Sequence, residues 1–233
     1  MKKIKLFCLP YAGGSATIYE KWRKFLHPSI ELICIEYAGR GNRFSEPLFD
    51  NLDKIVDDLS YIIENEIRET DYSIFGHSMG ALVGYEIAHK IKEKSLPLPV
   101  HMFFSGKSAP HFSLRDKVIH NLNDYEFKKE LLKLEGTPKE VLENDDLMEI
   151  FLPILRSDFK AIEEYTHFEK ENILDCNFTV LYGKEERMPL NEIADWQKHT
   201  KKKCNFFKFS GGHFFIQEHS EDIVNIINNT LIS

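Results

Sequence analysis

The chain of 233 residues lacks both a long apolar run and a leader-like amino terminus, so nothing in it suggests a membrane or secreted protein. No hydrophobic stretch approaches the roughly 20 residues that a membrane-spanning helix requires. The first residues enter a strand-like segment without the apolar core and cleavage site of a secretory leader, and we therefore expect a cytoplasmic location. Hydrophobic residues make up 42 % and charged residues 29 %, which is typical of a globular protein and favours one domain over residues 1–233.

Cysteines are few, and none is spaced for a metal site or a redox motif. Cys8, Cys34, Cys176 and Cys204 each fall in an apolar, strand-like segment, which predicts reduced thiols in the core. The ten histidines show no His-x-x-x-His spacing, and we expect neither a metal ion nor a bound cofactor. Positive charge is not in excess either. The net charge of −7 argues against non-specific binding of nucleic acid, which depends on a basic surface.

Strand-like runs alternate with helical patterns along most of the chain. This alternation predicts an α/β fold in which a mostly parallel sheet carries helices on both faces. In such sheets ligands bind at the carboxyl ends of the strands, so the residues that follow each strand are the candidates for a site. The six predicted strands are residues 4–9, 31–36, 72–75, 100–105, 178–182 and 205–209, and the clearest predicted helices are residues 53–67 and 220–231.

One interval, residues 107–168, shows only helical signals. Asn123 or Asp124 is predicted to cap a helix that runs to Leu134, and residues 137–140 have the layout of a capping box with proline at the first helical position. Pro153 should kink or restart the last helix of the interval. Because this helical insertion follows the fourth strand, we expect it to form a lid over the active-site edge of the sheet.

Residues 76–80 read Gly-His-Ser-Met-Gly and follow an apolar strand directly. This pattern is typical of a nucleophile elbow, a sharp strand-to-helix turn that holds a serine hydroxyl clear of the sheet. The next residues are apolar at helical spacing, as the elbow requires. The sequence therefore predicts that Ser78 is a nucleophile.

A serine nucleophile needs a base to take its proton and an acid to orient that base. His213 follows the last predicted strand after two glycines, and the order serine, acid, histidine is that of the hydrolases. The acid should follow the preceding strand, where no aspartate stands. Glu186 is our candidate, three residues after Gly183, and its neighbour Glu185 is the alternative.

The negative charge that develops on the substrate carbonyl requires two backbone N–H groups. Met79, directly after the nucleophile, is predicted to supply one. The loop at residues 10–15 should supply the other from Ala12, with Tyr11 as the alternative donor. This loop contains neither a P-loop motif nor Gly-x-Gly-x-x-Gly, so a phosphate site is not indicated.

Taken together, these motifs resemble the stand-alone type II thioesterases of non-ribosomal peptide and polyketide synthesis. The resemblance spans nearly the whole chain and rests on residues 9–15, Gly39-Arg40-Gly41 with Arg43, residues 76–80, residues 155–159, Trp196 and residues 211–215. It implies an α/β-hydrolase fold and the release of acyl groups from the phosphopantetheine arm of carrier proteins. The family usually has aspartate where Glu186 stands.

If the resemblance holds, a carrier protein is the expected partner, and we expect the chain to act as a monomer. Tyr11 and Phe214 are the predicted substrate contacts. An acidic carrier would need a basic patch or an apolar contact, and the basic candidates are Arg40, Arg43, Lys107 and Arg115. Two alternatives stay open. One is an esterase or acyl-coenzyme A thioesterase acting on free substrates, and the other is a non-catalytic module that binds carrier proteins.

Overall fold

Six parallel strands form one sheet; counted in chain order, they lie across it as second, first, third, fourth, fifth and sixth. The computed structural model describes residues 3–68, 70–112, 118–134, 136, 139–170, 173–186 and 188–232. All six predicted strands are confirmed, with limits that differ by at most two residues. The strands are β1 (Ile4–Leu9), β2 (Ile30–Cys34), β3 (Tyr72–His77), β4 (His101–Ser105), β5 (Asn177–Gly183) and β6 (Cys204–Phe209).

Helices cover both faces of this sheet, as the alternation predicted. Because successive side chains of a strand point to opposite faces, Phe103 and Phe104 lie in different apolar clusters. Helices α1 (Leu52–Glu64) and α2 (Met79–Glu93) pack on the Phe104 face, while Trp22 and α8 (Ser220–Ile232) pack on the Phe103 face. The helices are α1 (Leu52–Glu64), α2 (Met79–Glu93), α3 (Asp124–Lys133), α4 (Lys139–Leu142), α5 (Asp145–Glu163), α6 (Leu190–Ala194), α7 (Phe215–Glu218) and α8 (Ser220–Ile232), with 3₁₀ helices at Ala16–Lys24, Gly41–Arg43 and Asp195–His199.

The insertion between β4 and β5 contributes α3, α4 and α5, and no strand occurs in the part of residues 107–168 that the structure describes. These helices enclose an apolar cluster of their own, which includes Phe127, Leu131 and Met148. Asn123 caps α3 by accepting a hydrogen bond from the Glu126 N–H at 3.0 Å, which confirms the first of the two predicted caps. The capping box predicted at residues 137–140 includes Thr137 and Pro138, which lie outside the described residues.

Pro153 does not restart the last helix of the insertion. Instead, α5 is one continuous helix from Asp145 to Glu163 with the proline inside it. Proline lacks the N–H that would bond to the carbonyl of Glu149, so one helical hydrogen bond is lost. The buried residues of α5 lie on both sides of Pro153, and their packing outweighs that loss.

All four cysteines are unpaired, as the sequence predicted, although Cys34 and Cys204 are only partly buried. Burial raises the pKa of the Cys34, Cys176 and Cys204 thiols to about 12, so these side chains are protonated at neutral pH. Within the described residues, no helix is both long enough and apolar enough to cross a membrane.

Candidate active site

Ser78 lies in a strained turn between β3 and α2. Its backbone has φ 55° and ψ −114°, a conformation that residues with a side chain rarely adopt. The turn is packed so tightly that a Cβ atom at Gly76 would lie 2.1 Å from the Gly80 carbonyl oxygen. A Cβ at Gly80 would lie 2.1 Å from the Leu9 carbonyl oxygen. Both glycines are therefore required by the elbow, and Ser78 stands at the amino terminus of α2, where the helix dipole favours negative charge.

Glu186, rather than Glu185, contacts His213. Its Oε1 lies 2.7 Å from His213 Nδ1, and its Oε2 accepts a hydrogen bond from the Gly183 N–H at 3.0 Å. The carboxylate side chain is 3 % exposed, whereas the imidazole is 36 % exposed. Glu185 is exposed. A carboxylate on Nδ1 favours the imidazole tautomer with its proton on that nitrogen, which leaves Nε2 free to act as a base.

The loops that carry Glu186 and His213 are joined to each other by their backbones. The Lys184 N–H donates to the Phe209 carbonyl at 2.8 Å, and the Glu185 N–H donates to the Gly211 carbonyl at 3.0 Å. Gly211 has φ +101°, in the region that favours glycine. The loops after β5 and β6 are therefore tied together, and this connection fixes Glu186 relative to His213.

His77 lies beneath this pair, a placement that sequence reasoning missed. Its ring is fully buried, and the ring centroid lies 5.0 Å from that of His213. Nδ1 lies 2.9 Å from the Ser105 Oγ. Burial, together with the nearby His213, lowers the pKa of His77 well below its ordinary value, so the ring stays neutral. The only available signal was a histidine inside an otherwise buried strand, next to the nucleophile.

The loop at residues 10–15, called here the oxyanion loop after its predicted role, lies against the start of α2 through the Pro10 carbonyl, beside the Leu9 carbonyl at the end of β1. Inside the loop, the Gly14 N–H donates to the Tyr11 carbonyl at 2.8 Å. Gly13 has φ +75°, which glycine adopts readily. The loop after β2 supports it, because the Tyr37 hydroxyl donates to the Pro10 carbonyl at 2.9 Å. The predicted donors Ala12 and Met79 thus belong to two segments that meet at Ser78.

Phe214 contacts His213, the oxyanion loop and the insertion. Its ring centroid lies 5.0 Å from the ring of Tyr11 and 5.0 Å from that of His213. In the insertion, a Cβ at Gly136 would lie 2.6 Å from Phe214 Cζ. The two predicted substrate contacts, Tyr11 and Phe214, therefore pack on each other beside His213, and the insertion reaches Phe214.

The expectation that Arg40 lies on a docking surface is wrong. Its guanidinium is buried and makes two hydrogen bonds of 2.6 Å to Asp158, whose side chain is 1 % exposed. A planar guanidinium satisfied by a carboxylate in the interior is structural, and a partner protein cannot reach it. The guanidinium of Arg43 is occupied by Asp58 and Glu46.

The other two basic candidates are Lys107 and Arg115. Lys107 is only partly exposed, and burial lowers the pKa of its ammonium group to about 8, so the side chain still carries most of its charge at pH 7. Arg115 lies outside the described residues.

Comparison with known proteins gives one consistent family. The thioesterase domain family matches residues 4–231. Thioesterase PikA5 of Streptomyces venezuelae is 35 % identical over 230 residues, which are 98 % of this chain and 81 % of PikA5. Linear gramicidin dehydrogenase LgrE of Brevibacillus parabrevis is 36 % identical over 235 residues, covering 99 % of this chain and 89 % of LgrE.

A solved structure gives the same result. The crystal structure of ClbQ, from the colibactin NRPS/PKS pathway, superimposes with a TM-score of 0.94 and 36 % identity. The superposition covers 98 % of this chain and 97 % of ClbQ.

Proposed function

The chain belongs to the thioesterase domain family, and from that premise we propose that it is a type II thioesterase of non-ribosomal peptide or polyketide synthesis. It would hydrolyse acyl groups from the phosphopantetheine arm of carrier proteins, and so restore synthases that are stalled or misprimed. The fold is that of the α/β-hydrolases, as the sequence predicted.

The observation that carries the proposal is the 2.7 Å contact between Glu186 and His213, at the sheet edge where the strained Ser78 also lies. A carboxylate that is nearly buried, with both oxygens engaged, supports the role of an orienting acid. A merely solvated surface glutamate, such as the exposed Glu185, has no such arrangement.

In the proposed acylation step, His213 takes the proton of the Ser78 hydroxyl while the oxygen attacks the thioester carbonyl. The Ala12 and Met79 N–H groups stabilise the oxyanion of the tetrahedral intermediate. Collapse breaks the carbon–sulfur bond and leaves the acyl group on Ser78. By analogy with cysteine, the leaving thiol has a pKa of about 8.5, so its protonation by His213 demands less than protonation of an amine.

Deacylation repeats the same steps with water as the nucleophile. His213 takes a proton from the water, hydroxide attacks the acyl-enzyme, and the proton returns to Ser78 as the carboxylic acid leaves. This chemistry needs neither a metal ion nor a bound cofactor, because the substrate carries its own phosphopantetheine. We further propose that the protein acts as a monomer in the cytoplasm.

The name of the relative LgrE does not support a second function for this chain. A dehydrogenase that binds a dinucleotide through the common fingerprint would need Gly-x-Gly-x-x-Gly after a strand. That motif is absent from the sequence, and the glycine-rich segment after β1 is the oxyanion loop.

The test compares three substrates that carry the same acyl group: an acylated holo-carrier protein, the acyl-coenzyme A and a p-nitrophenyl ester. We expect the highest kcat/KM for the carrier. Release of the acyl group from the carrier is measured by intact-protein mass spectrometry. Higher kcat/KM for the free substrates would favour the esterase or acyl-coenzyme A alternative. Binding of the carrier without release of any acyl group would favour the non-catalytic module.

A further inference from the structure

We propose that Asp158, on the insertion helix α5, is a positioning residue that sets the oxyanion loop and so couples the insertion to catalysis. The inference rests on the proposed function, because it assigns the oxyanion loop the role described above. Asp158 does not reach the reacting atoms itself. It acts through the backbone of Gly13, which lies 145 residues away in the sequence.

Asp158 forms a buried junction between three segments. Its Oδ2 accepts a hydrogen bond from the Gly13 N–H at 2.7 Å, and both carboxylate oxygens accept hydrogen bonds from Arg40 at 2.6 Å. Arg40 in turn donates to the Gly14 carbonyl at 3.2 Å. The carboxylate of α5 therefore holds Gly13, and the guanidinium of the loop after β2 holds the adjacent Gly14.

These contacts fix the direction of the Ala12 N–H, although none of them touches it. A peptide unit is planar, so the Ala12 N–H points opposite to the Tyr11 carbonyl, which accepts from the Gly14 N–H. The next peptide unit contains the Gly13 N–H, which Asp158 holds. Because the units on both sides of the Ala12 Cα are held, the oxyanion donor cannot rotate while Asp158 stays in place.

Helix α5 is suited to carry this coupling because its two ends belong to different parts of the protein. Met148, near its start, packs in the cluster of the insertion, whereas Ala161, near its end, packs in the main core. Leu155 lies in the insertion cluster and also contacts Gly13, where a Cβ would lie 2.4 Å from the Leu155 Cδ2. A displacement of the insertion that moves Leu155 and Asp158 therefore acts directly on the oxyanion loop.

The chain offers a matched control one residue away. The Ser157 hydroxyl donates to the Phe49 carbonyl at 2.9 Å, so it also anchors α5 to the body, but outside the oxyanion loop. Asp158→Asn should lower kcat by about 10- to 100-fold with KM changed less than about threefold, because the oxyanion donor is displaced while ground-state binding is kept. Ser157→Ala should change kcat less than about threefold.

A second readout does not depend on turnover. An alkylboronic acid forms a tetrahedral adduct with a catalytic serine, and one of its oxygens occupies the oxyanion site. Its dissociation constant should rise at least about 10-fold in Asp158→Asn and stay near the wild-type value in Ser157→Ala. Circular dichroism at the assay temperature checks that each variant is folded. If Asp158→Asn is not folded, Arg40→Lys replaces it as the test, because it keeps the charge beside Asp158. This variant should also show a lower kcat and a higher dissociation constant for the boronic acid, with smaller changes than those expected for Asp158→Asn.

Equal losses of kcat in Asp158→Asn and Ser157→Ala would overturn the proposal, as would a rise in KM with kcat unchanged. Turnover is followed with the p-nitrophenyl ester, so the result does not depend on the carrier. A wild-type protein that hydrolyses the ester but not the carrier thioester would contradict the proposed function. A lower kcat of Asp158→Asn toward the ester would still support the positioning role.

Discussion

The two sides of the candidate active site are built in different ways. On the base side, Glu186 and His213 come from neighbouring loops after β5 and β6, which are joined by backbone hydrogen bonds. On the oxyanion side, the loop after β1 is held by Arg40 and by Asp158 of the insertion. Backbone hydrogen bonds between two adjacent loops therefore hold the base side, whereas the oxyanion side is held by hydrogen bonds from the insertion helix.

The largest effect is expected where the two sides meet. Ser78→Ala should lower kcat for the acyl-carrier by roughly 10³- to 10⁶-fold, because it removes the hydroxyl that takes the acyl chain in the proposed mechanism. Release of the acyl group is measured by intact-protein mass spectrometry. Ser60→Ala, at a serine buried in α1, is the control and should stay within about twofold of the wild type. Near-normal turnover by Ser78→Ala would show that Ser78 is not the nucleophile on which the two sides act.

The base side is tested by a pair of adjacent substitutions. Glu186→Gln should lower kcat by about 10²- to 10⁴-fold, since His213 and the Gly183 N–H contact different carboxylate oxygens and the amide NH2 would then face one of these donors. Glu185→Gln changes an exposed side chain and should have less than about a threefold effect. Steady-state kinetics with the carrier substrate decide the order. A larger loss for Glu185→Gln would mean that the other glutamate is the acid.

The sequence correctly placed Glu186 beside His213. Ser78, Glu186 and His213 each follow a strand, and parallel strands end at one edge, so motifs far apart in the chain could be assigned to one place. The exception is His77, because a buried histidine in a strand carries no pattern of its own.

The oxyanion side could be predicted only in part. Glycines after β1 indicated the loop, but its support by Asp158 is a contact between residues 145 apart, with no periodicity to reveal it. For the same reason Arg40 was assigned to the surface. The restart predicted at Pro153 does not occur, because the local rule for proline gives no account of the tertiary packing of α5.

A smaller loss is expected when the oxyanion loop is strained. Gly13→Ala places a Cβ 2.4 Å from Leu155 Cδ2 at φ +75°, and should lower kcat by about 10- to 100-fold. Stability should fall by roughly 1–3 kcal/mol in denaturant unfolding. Adding Leu155→Ala removes the clash and should restore part of kcat. An unchanged kcat in Gly13→Ala would show that the loop tolerates displacement, and the contrast between the two sides would be lost.

The smallest effect concerns the protonation of His77. Its pKa is lowered in the folded protein, so below pH of about 6.5 the unfolded chain binds a proton that the folded protein does not. The free energy of unfolding is therefore not reduced by His77 above pH of about 6.5. Below that pH, this residue lowers it by up to about 1.4 kcal/mol per pH unit. Urea unfolding between pH 5 and pH 7 should show this slope reduced in His77→Gln and unchanged in His27→Gln, at an exposed histidine. If the free energy of unfolding changes equally with pH in the wild type, His77→Gln and His27→Gln, then His77 is not held neutral.

The central claim is that both sides act on one acyl-enzyme at Ser78, and rapid-quench mass spectrometry tests it most directly. The protein is mixed with an acylated holo-carrier, quenched within milliseconds to seconds and digested, and the peptide that contains Ser78 is examined. We predict that this peptide carries the acyl mass before free acid accumulates, and that the adduct is absent in Ser78→Ala. Release of the free acid at the wild-type rate without any acyl adduct on Ser78, or with the adduct on another residue, would contradict the account.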